Sequence, residues 1–246
     1  MTQLVLLSGW GCDARIWAPL TPHWPSEVDV TAPNWPGLGG RPALEAPESL
    51  AAMADAMSAD LPTDAVWVGW SLGGLLAGAL LAYLPPPRGL ILLGMGERFC
   101  DPEGVSTAEL AAFRRAFARD PDATLAHFHR WQLGGEPGPR EAYRRLCALL
   151  DGGPAPDPAT LDAGLAWLGS LDISTDRANA DCPMVRLAGS RDPLLAPTAI
   201  ATADRVLENA GHCPMLSRPA ALAETLMSLA AEPHPRRVLQ AERVPS

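Results

Sequence analysis

Short apolar runs alternate with longer alanine- and leucine-rich runs along most of the chain. The short runs predict strands at residues 3–7, 28–32, 65–69, 89–93, 183–188 and 203–207. The longer runs predict helices near residues 48–60, 72–84, 196–202 and 218–231. Strands that alternate with helices are typical of an α/β fold, in which helices cover both faces of a mostly parallel sheet.

The pattern changes in the middle of the chain, where only helical segments follow one another. They lie near residues 106–118, 121–133, 138–150 and 158–170. A chain of 246 residues is long enough for one domain with an insertion. We therefore predict a core of residues 1–94 and 181–232, a helical cap of residues 95–180 laid over the end of the sheet, and a mobile tail of residues 233–246.

The third predicted strand runs directly into Gly69-Trp70-Ser71-Leu72-Gly73, after which an Ala/Leu-rich helix begins. Gly-x-Ser-x-Gly between a strand and a helix is typical of a nucleophile elbow, a tight turn that lifts one serine above the edge of a sheet. Glycines suit this turn because a Cβ would keep the helix away from the strand. Free N–H groups at the helix N-terminus favour developing negative charge. The pattern predicts Ser71 as a catalytic nucleophile.

A catalytic serine needs a base to take its proton and an acid to orient that base. In chains with this elbow the order is serine, acid, histidine. His212 follows the last predicted strand in a Gly-His pair. The other candidates are less well placed, since His127 and His129 fall in a predicted helix and His234 in the tail. Asp192 opens the loop after the fifth predicted strand, where ligands of open α/β sheets bind. We predict His212 as the base and Asp192 as the acid.

Acyl transfer through a serine also needs donors for the oxyanion of the tetrahedral intermediate. One donor in such chains is the N–H group of the residue after the nucleophile, here Leu72. The other comes from the loop after the first strand, which reads Ser8-Gly9-Trp10-Gly11. We predict that the Trp10 N–H group is this second donor and that the Trp10 side chain forms a wall of the pocket.

Composition and charge exclude several other functions. All 19 basic residues are arginine, which removes Schiff-base and Walker-type chemistry because both need a lysine. A net charge of −9 argues against nucleic acid as a partner. No apolar run reaches the roughly 18 residues of a membrane span, and no leader precedes the first strand, so we expect a cytoplasmic protein without membrane contact. The five cysteines lack metal-ligand spacing and fit a reducing compartment, and neither a metal nor a cofactor is predicted.

One stretch of the predicted cap has the opposite charge to the rest of the chain. Between Phe113 and Arg145, seven arginines stand against four acids, a local excess of +3 in a chain of −9. Arg140 and Arg144 lie four residues apart and therefore share one helix face. A basic patch of this kind fits an acidic partner. A solvated helix face is the alternative.

Four segments give the chain a resemblance to the α/β-hydrolase family over nearly its whole length. They are Leu6-Leu7-Ser8-Gly9-Trp10-Gly11, Trp35-Pro36-Gly37-Leu38-Gly39, Trp67-Val68-Gly69-Trp70-Ser71-Leu72-Gly73-Gly74 and Gly211-His212. More narrowly, the Gly-Trp-Gly loop and the Gly-Trp-Ser-Leu-Gly-Gly elbow resemble those of the biotin-pathway carboxylesterases that demethylate pimeloyl-acyl-carrier-protein methyl ester. The resemblance implies an α/β-hydrolase fold with an inserted helical cap. It also implies ester hydrolysis through an acyl-enzyme on Ser71, without a cofactor.

The resemblance extends into the predicted cap. Phe128-His129-Arg130-Trp131-Gln132 resembles the Phe-x-x-x-Gln segment with which those esterases contact substrate. The substrate-binding residues implied in this way are Trp10, Ser71, Leu72, Phe128, Gln132 and His212. Arg140 and Arg144 resemble two arginines that bind the acyl-carrier protein, which makes that protein an implied partner.

The chain departs from those esterases at three positions. Ser8 stands where they usually have the histidine of His-Gly-Trp-Gly, a residue that supports the loop. Two further carrier-contacting arginines fall on Ala123 and His127. These departures weaken the implied docking of a carrier protein more than they weaken the implied esterase.

Several functions stay open at this point. Other enzymes on this scaffold use the same triad, so the site determines acyl chemistry better than it determines the substrate. They include general short-chain carboxylesterases that act on small esters, C–C hydrolases, cofactor-free perhydrolases and a menaquinone-pathway lyase. A non-catalytic ligand-binding protein is disfavoured by the intact set of Ser71, Asp192 and His212. We expect a monomer.

Overall fold

The computed structural model describes residues 2–174 and 182–232, so the predicted tail and the predicted end of the cap lie outside the described residues. Six parallel strands form the central sheet of the described part: β1 (Thr2–Leu7), β2 (Val28–Thr31), β3 (Val66–Trp70), β4 (Gly89–Leu93), β5 (Met184–Gly189) and β6 (Arg205–Leu207). Their order in the sheet is β2-β1-β3-β4-β5-β6. All of the predicted strands are confirmed, with bounds that differ by two residues or fewer.

Helices lie between and after these strands. They are α1 (Leu50–Met57), α2 (Leu72–Leu80), α3 (Thr107–Arg119), α4 (Pro121–Trp131), α5 (Pro139–Leu150), α6 (Pro158–Ser170), α7 (Pro197–Ala201), α8 (Pro214–Ser217) and α9 (Pro219–Ala231). The helix predicted near residues 72–84 ends earlier, at Leu80. The helix predicted near residues 218–231 is preceded by the short α8, and Pro219 begins α9 in the first-turn position that tolerates proline.

A 3₁₀ helix, Ala14–His23, lies between β1 and β2 and has no counterpart in the sequence prediction. Pro19 and Pro22 lie within it, and prolines in such a run ordinarily indicate a loop. The segment is stabilised by its buried side chains, which are Ile16, Trp17 and Leu20. Packing against the sheet therefore determines a conformation that local sequence preference does not favour.

Each face of the sheet carries its own apolar core, because successive side chains of a strand point to opposite faces. On one face, Val5 and Leu7 of β1 pack with residues of α1, α2 and α6. On the other face, Leu4 and Leu6 pack with residues of the 3₁₀ helix, α8 and α9. β3 and β4 are buried along their whole length, which accounts for their unbroken apolar runs. The predicted α/β class, with helices on both faces, is confirmed.

Among the residues that the structure describes between β4 and β5, four helices, α3 to α6, follow one another in the stretch where only helices are predicted. Ser106 and Glu109 form a capping box at the start of α3. Asp120 and Asp157 cap α4 and α6 by accepting a backbone N–H group. Helix α6 contacts both α2 of the core and α3 of the insertion. Within residues 2–174 and 182–232, none of the helices has the length and apolar character needed to cross a membrane.

Candidate active site

Ser71 lies at the turn between β3 and α2, at the carboxyl end of a central strand. Its backbone has φ 54° and ψ −128°, a conformation of the kind that costs of order 1–3 kcal/mol in a residue other than glycine. The Ser71 N–H group donates to the carbonyl of Leu93 at 2.9 Å, which holds the turn against β4. The turn is so tight that a Cβ on Gly69 would lie 2.5 Å from the Cα of Gly74. This is the geometry of a nucleophile elbow.

The Asp192 carboxylate and the His212 imidazole form a buried pair. His212 Nδ1 lies 2.7 Å from Asp192 Oδ2, and both side chains are fully buried. The second carboxylate oxygen, Oδ1, accepts the N–H group of Leu194 at 2.9 Å. His212 Nε2 has no hydrogen-bond partner among the described residues. With Nδ1–H donating to the carboxylate, Nε2 carries a lone pair and can take a proton.

Several hydrogen bonds fix the loops that carry this pair. Trp70 Nε1 donates to the carbonyl of His212 at 2.7 Å, so the residue before Ser71 supports the base. The Trp70 and His212 rings also lie 5.5 Å apart. The Arg191 N–H group donates to the carbonyl of Ala210 at 2.9 Å and joins the acid loop to the base loop. The three predicted triad residues thus emerge from one edge of the sheet, on supports that contact one another.

The loop after β1 lies directly beside Ser71. A Cβ on Gly9 would be 2.9 Å from the Cβ of Ser71, so only a glycine permits this approach. The backbone N–H groups of Trp10 and Leu72 donate to no acceptor among the described residues. Two unpaired N–H groups next to a nucleophile are what an oxyanion hole requires.

Two indole groups support this loop. Trp10 Nε1 donates to the carbonyl of Leu161 in α6 at 2.8 Å, and Trp35 Nε1 donates to the carbonyl of Ser8 at 2.9 Å. The Ser8 hydroxyl is buried and has no hydrogen-bond partner among the described residues. The loop is therefore held through the main-chain carbonyl of Ser8, and the Ser8 side chain contributes no hydrogen bond to it among the described residues.

A narrow apolar cavity of about 20 Å³ lies beside this loop. Its walls come from the loop after β1, the segment after β2, α1, α2 and α6. Its larger apolar side chains are those of Trp10, Trp35, Leu38, Met53, Leu72, Leu76, Leu161 and Trp167. A slot lined in this way suits the hydrocarbon part of an acyl group.

The two predicted substrate-contact residues, Phe128 in α4 and Gln132 directly after it, have different surroundings. The Phe128 ring meets the Trp10 ring edge to face, with 5.0 Å between centroids. Gln132 is completely buried, and neither polar atom of its amide has a hydrogen-bond partner among the described residues. The amide lies close enough to the buried Cys12 thiol to lower the pKa of that group, so the protein offers Gln132 only this weak polar neighbour.

Two buried thiols near the site are chemically quiet. Burial raises the pKa of Cys12 to about 12, and the charge of Asp13 adds to the effect. Burial also raises the pKa of Cys213 well above its usual value, and the carboxylates of Glu136 and Asp192 contribute. Both thiols stay protonated at neutral pH and are therefore poor nucleophiles. Cys213, although it follows the predicted base in sequence, does not compete with Ser71.

The two predicted carrier-contacting arginines lie on α5, away from the buried residues. Arg140 is exposed and forms no ion pair with another described residue. Arg144 forms an ion pair and hydrogen bonds with Glu141, one turn earlier, and these bonds lower the pKa of that carboxyl. The basic surface predicted from the sequence is thus partly neutralised within the same helix.

One buried acid beside the site has no counterpart in the sequence prediction. Glu136 Oε1 accepts the N–H group of Cys213 at 2.7 Å, one residue after the predicted base. Glu136 follows Gly134-Gly135, and a paired glycine before an acid ordinarily indicates an exposed turn. Its burial comes from tertiary contacts, for which the sequence carries no local signal.

Comparison with known proteins defines the class to which this site belongs. The alpha/beta hydrolase family matches residues 4–225 of the chain. The chain belongs to this family, as its motifs predict.

Relatives within the family narrow the class. The chain is 36% identical over 235 residues to a pimeloyl-[acyl-carrier protein] methyl ester esterase of Aromatoleum aromaticum, with 88% of this chain and 93% of that protein covered. It is 31% identical over 240 residues to a protein of the same name from Klebsiella pneumoniae, with 92% of this chain and 93% of that protein covered. The chain is a carboxylic ester hydrolase, and the predicted resemblance to these esterases is confirmed.

Solved structures show the same fold at lower identity. An esterase from Exiguobacterium antarcticum superposes with a TM-score of 0.76 at 19% identity, covering 94% of this chain and 92% of that chain. A bromoperoxidase from Bacillus anthracis gives a TM-score of 0.77 at 15% identity, with the same coverage of 94% and 92%. Since the two carry different activities in their names, these likenesses show the fold alone.

Proposed function

We propose that this protein is a serine carboxylesterase that hydrolyses the methyl ester of pimeloyl-acyl-carrier protein in biotin biosynthesis. The observation that carries the proposal is the buried Asp192–His212 pair, whose free Nε2 lies at the same sheet edge as the strained Ser71. The substrate is suggested by the names of relatives that match the chain over nearly its whole length.

The proposed reaction proceeds through an acyl-enzyme. Ser71 Oγ attacks the ester carbonyl while His212 Nε2 takes its proton, and Asp192 stabilises the imidazolium that forms. The N–H groups of Trp10 and Leu72 hold the oxyanion, and such a donor contributes about 3–4 kcal/mol to transition-state stabilisation. His212 then protonates the departing methoxide, and methanol leaves. Water deprotonated by His212 attacks the acyl-enzyme and releases the free carboxylate.

The helices between β4 and β5 serve as the cap in this proposal. The Trp10–Leu161 hydrogen bond and the contact of Phe128 with the Trp10 ring join them to the oxyanion loop. The acyl chain enters the apolar cavity beside Trp10 once its walls move apart, because the closed cavity measures only about 20 Å³. Gln132 exchanges its weak contact with the Cys12 thiol for a polar group of the substrate.

Carrier-protein docking is assigned to α5. Arg140 is free to meet an acidic carrier, and Arg144 can exchange Glu141 for a partner because both side chains are at least half exposed. Complementary charge of this kind steers encounter and orientation more than it raises affinity. We therefore propose Arg140 and Arg144 as carrier-contacting residues.

A genetic experiment tests the substrate. The gene is introduced into a bacterial strain that lacks its demethylating esterase and cannot grow without biotin. Growth restored by the wild-type gene, and not by the Ser71→Ala variant, supports the proposal. Failure to restore growth, together with rapid hydrolysis of p-nitrophenyl esters by the purified protein, would favour a general short-chain carboxylesterase instead.

A further inference from the structure

Glu136 is a buried acid whose two hydrogen-bond partners both belong to the segment that carries the base. It lies between α4 and α5, and 4% of the residue is exposed. Oε1 accepts the N–H group of Cys213 at 2.7 Å, and Oε2 accepts the hydroxyl of Ser217 at the end of α8. The carboxylate therefore spans the turn that begins directly after His212. We call the Glu136 carboxylate with these two donors the Glu136 clamp.

The backbone next to Glu136 is wedged between the acid loop and the base loop. A Cβ on Gly135 would lie 1.7 Å from the carbonyl oxygen of Arg191, the residue before Asp192. A Cβ on Gly211, the residue before His212, would lie 2.8 Å from Glu136 Oε1. One short turn of the insertion thus touches the residues next to both members of the buried pair.

We infer that Glu136 is a positioning residue for the reaction, which holds His212 in line with Ser71 through the backbone of Cys213. The inference rests on the proposed function, in which His212 is the base. Asp192 fixes the imidazole at Nδ1 and Trp70 fixes the carbonyl of His212. The Glu136 clamp fixes the next N–H group, so the base is held through its side chain and through the peptide group that joins it to Cys213.

The clamp also connects two functions of the insertion. Glu136 follows α4, the helix whose Phe128 ring meets the ring of Trp10, a wall of the apolar cavity. The same chain segment therefore contacts a wall of the proposed acyl slot and the support of the base. A carboxylate suits the position because it accepts from both donors at once, whereas an apolar side chain would leave the Cys213 N–H group buried and unpaired.

The test compares three variants of Glu136 on a p-nitrophenyl ester. Glu136→Ala should lower kcat by about 10- to 100-fold, since displacement of a catalytic group by about 1 Å costs up to about 100-fold. KM should change by less than about threefold, because the slot and the oxyanion loop are untouched. Glu136→Gln keeps an oxygen acceptor and should retain kcat within about threefold. Glu136→Asp, which is one methylene shorter, should fall between them and serves if the alanine variant does not fold.

Asp204→Ala is the matched control. Asp204 Oδ2 accepts the N–H group of Arg186 at 2.8 Å, so this variant also removes a carboxylate from a backbone donor, but near the opposite end of β5. It should lower Tm and leave kcat unchanged. If Glu136→Ala behaves in the same way, with wild-type kcat, the inference is overturned while the proposed function stands. If Ser71→Ala retains wild-type turnover, the proposed function fails and the inference fails with it.

Discussion

The loops at the carboxyl edge of the sheet and the helices between β4 and β5 hold their polar side chains in different ways. In the loops, Asp192 and His212 are fully buried and joined at 2.7 Å. On α5, Arg140 and Arg144 are exposed, and Arg144 forms an ion pair with Glu141. Bond-making chemistry needs reacting atoms placed within fractions of an ångström. Attraction of a charged partner acts over roughly 8–10 Å and tolerates mobile side chains.

This difference teaches where each property of the enzyme resides. Breaking a buried, hydrogen-bonded charge pair typically costs about 3–5 kcal/mol, whereas an exposed ion pair contributes about 0–1 kcal/mol. Substitutions in the loops should therefore abolish the reaction on every ester. Substitutions on the helices should change which ester is preferred and how a carrier docks.

Apart from substitution of Ser71 itself, the largest effect is expected for Asp192→Asn. The amide preserves the shape of the side chain but favours the wrong tautomer of His212, so kcat should fall by about 10³- to 10⁴-fold. Hydrolysis of a p-nitrophenyl ester measures the loss. Asp162→Asn is the control. Asp162 is an exposed residue of α6, and its Oδ1 lies 3.8 Å from Nη2 of Arg114 on α3. A loss of less than about tenfold at Asp192 would place the acid elsewhere.

A smaller effect is expected where the insertion meets the substrate. Gln132→Met removes a buried amide whose polar neighbour is only the weakly bonding Cys12 thiol, so the free energy of unfolding should rise by about 1–3 kcal/mol. KM for the carrier-linked methyl ester should rise by about fivefold to tenfold, the equivalent of one hydrogen bond. Thermal unfolding and steady-state kinetics measure the two changes. Lower stability with an unchanged KM would refute a polar role for Gln132.

Charge reversal on the surface of α5 should have a smaller effect, which depends on ionic strength. Reversing the charge of Arg140 and Arg144 to Glu should raise KM for the carrier-linked ester by about threefold to tenfold, since an exposed pair contributes about 0.2–1 kcal/mol. The increase should shrink at high ionic strength. The same reversal at Arg88 and Arg205, which lie at the opposite edge of the sheet, is the control. An equal rise in KM from both pairs of substitutions would show that the effect comes from the net charge of the protein and not from docking on α5.

The smallest expected effect is on the pH dependence of stability, through the contact of His129 in α4 with the loop after β1. Burial lowers the pKa of His129, whose Nε2 lies 3.1 Å from the carbonyl of Gly11. The imidazole of His129 therefore binds a proton more readily in the unfolded chain than in the folded one. The contribution of His129 to the free energy of unfolding is complete above the ordinary pKa of about 6.5 and is lost as the pH falls below that value. His129→Gln should flatten that part of the stability profile. Parallel profiles for the two proteins would contradict this account.

Much of the fold is predictable because its strongest signals are local. Unbroken apolar runs identify β3 and β4, and a glycine-rich junction identifies the elbow at Ser71 with its positive φ. The buried pair of Asp192 and His212, proposed as acid and base, involves residues that both follow strands at the same sheet edge, and this placement is readable from the sequence. The 3₁₀ helix Ala14–His23 is missed because two prolines mask it and only its packing against the sheet stabilises it.

The Glu136 clamp is missed for a related reason. A lone acid after two glycines resembles a solvated turn, and its burial depends on loops that are about 55 and 75 residues away in sequence. The ion pair of Arg144 with Glu141 lies within one helix and was open to prediction from its spacing, yet it decides how much of the basic surface is free. Long-range contacts are thus the part of the site that sequence patterns do not reveal.

The central claim is that Ser71, activated by the buried His212–Asp192 pair, cleaves the methyl ester. The most direct measurement is the rate of methanol release from pimeloyl-acyl-carrier-protein methyl ester by the purified wild type and by Ser71→Ala. The account predicts a loss of about 10⁴-fold or more in the variant, with an unchanged unfolding transition. Methanol release by Ser71→Ala within about tenfold of the wild-type rate would contradict it.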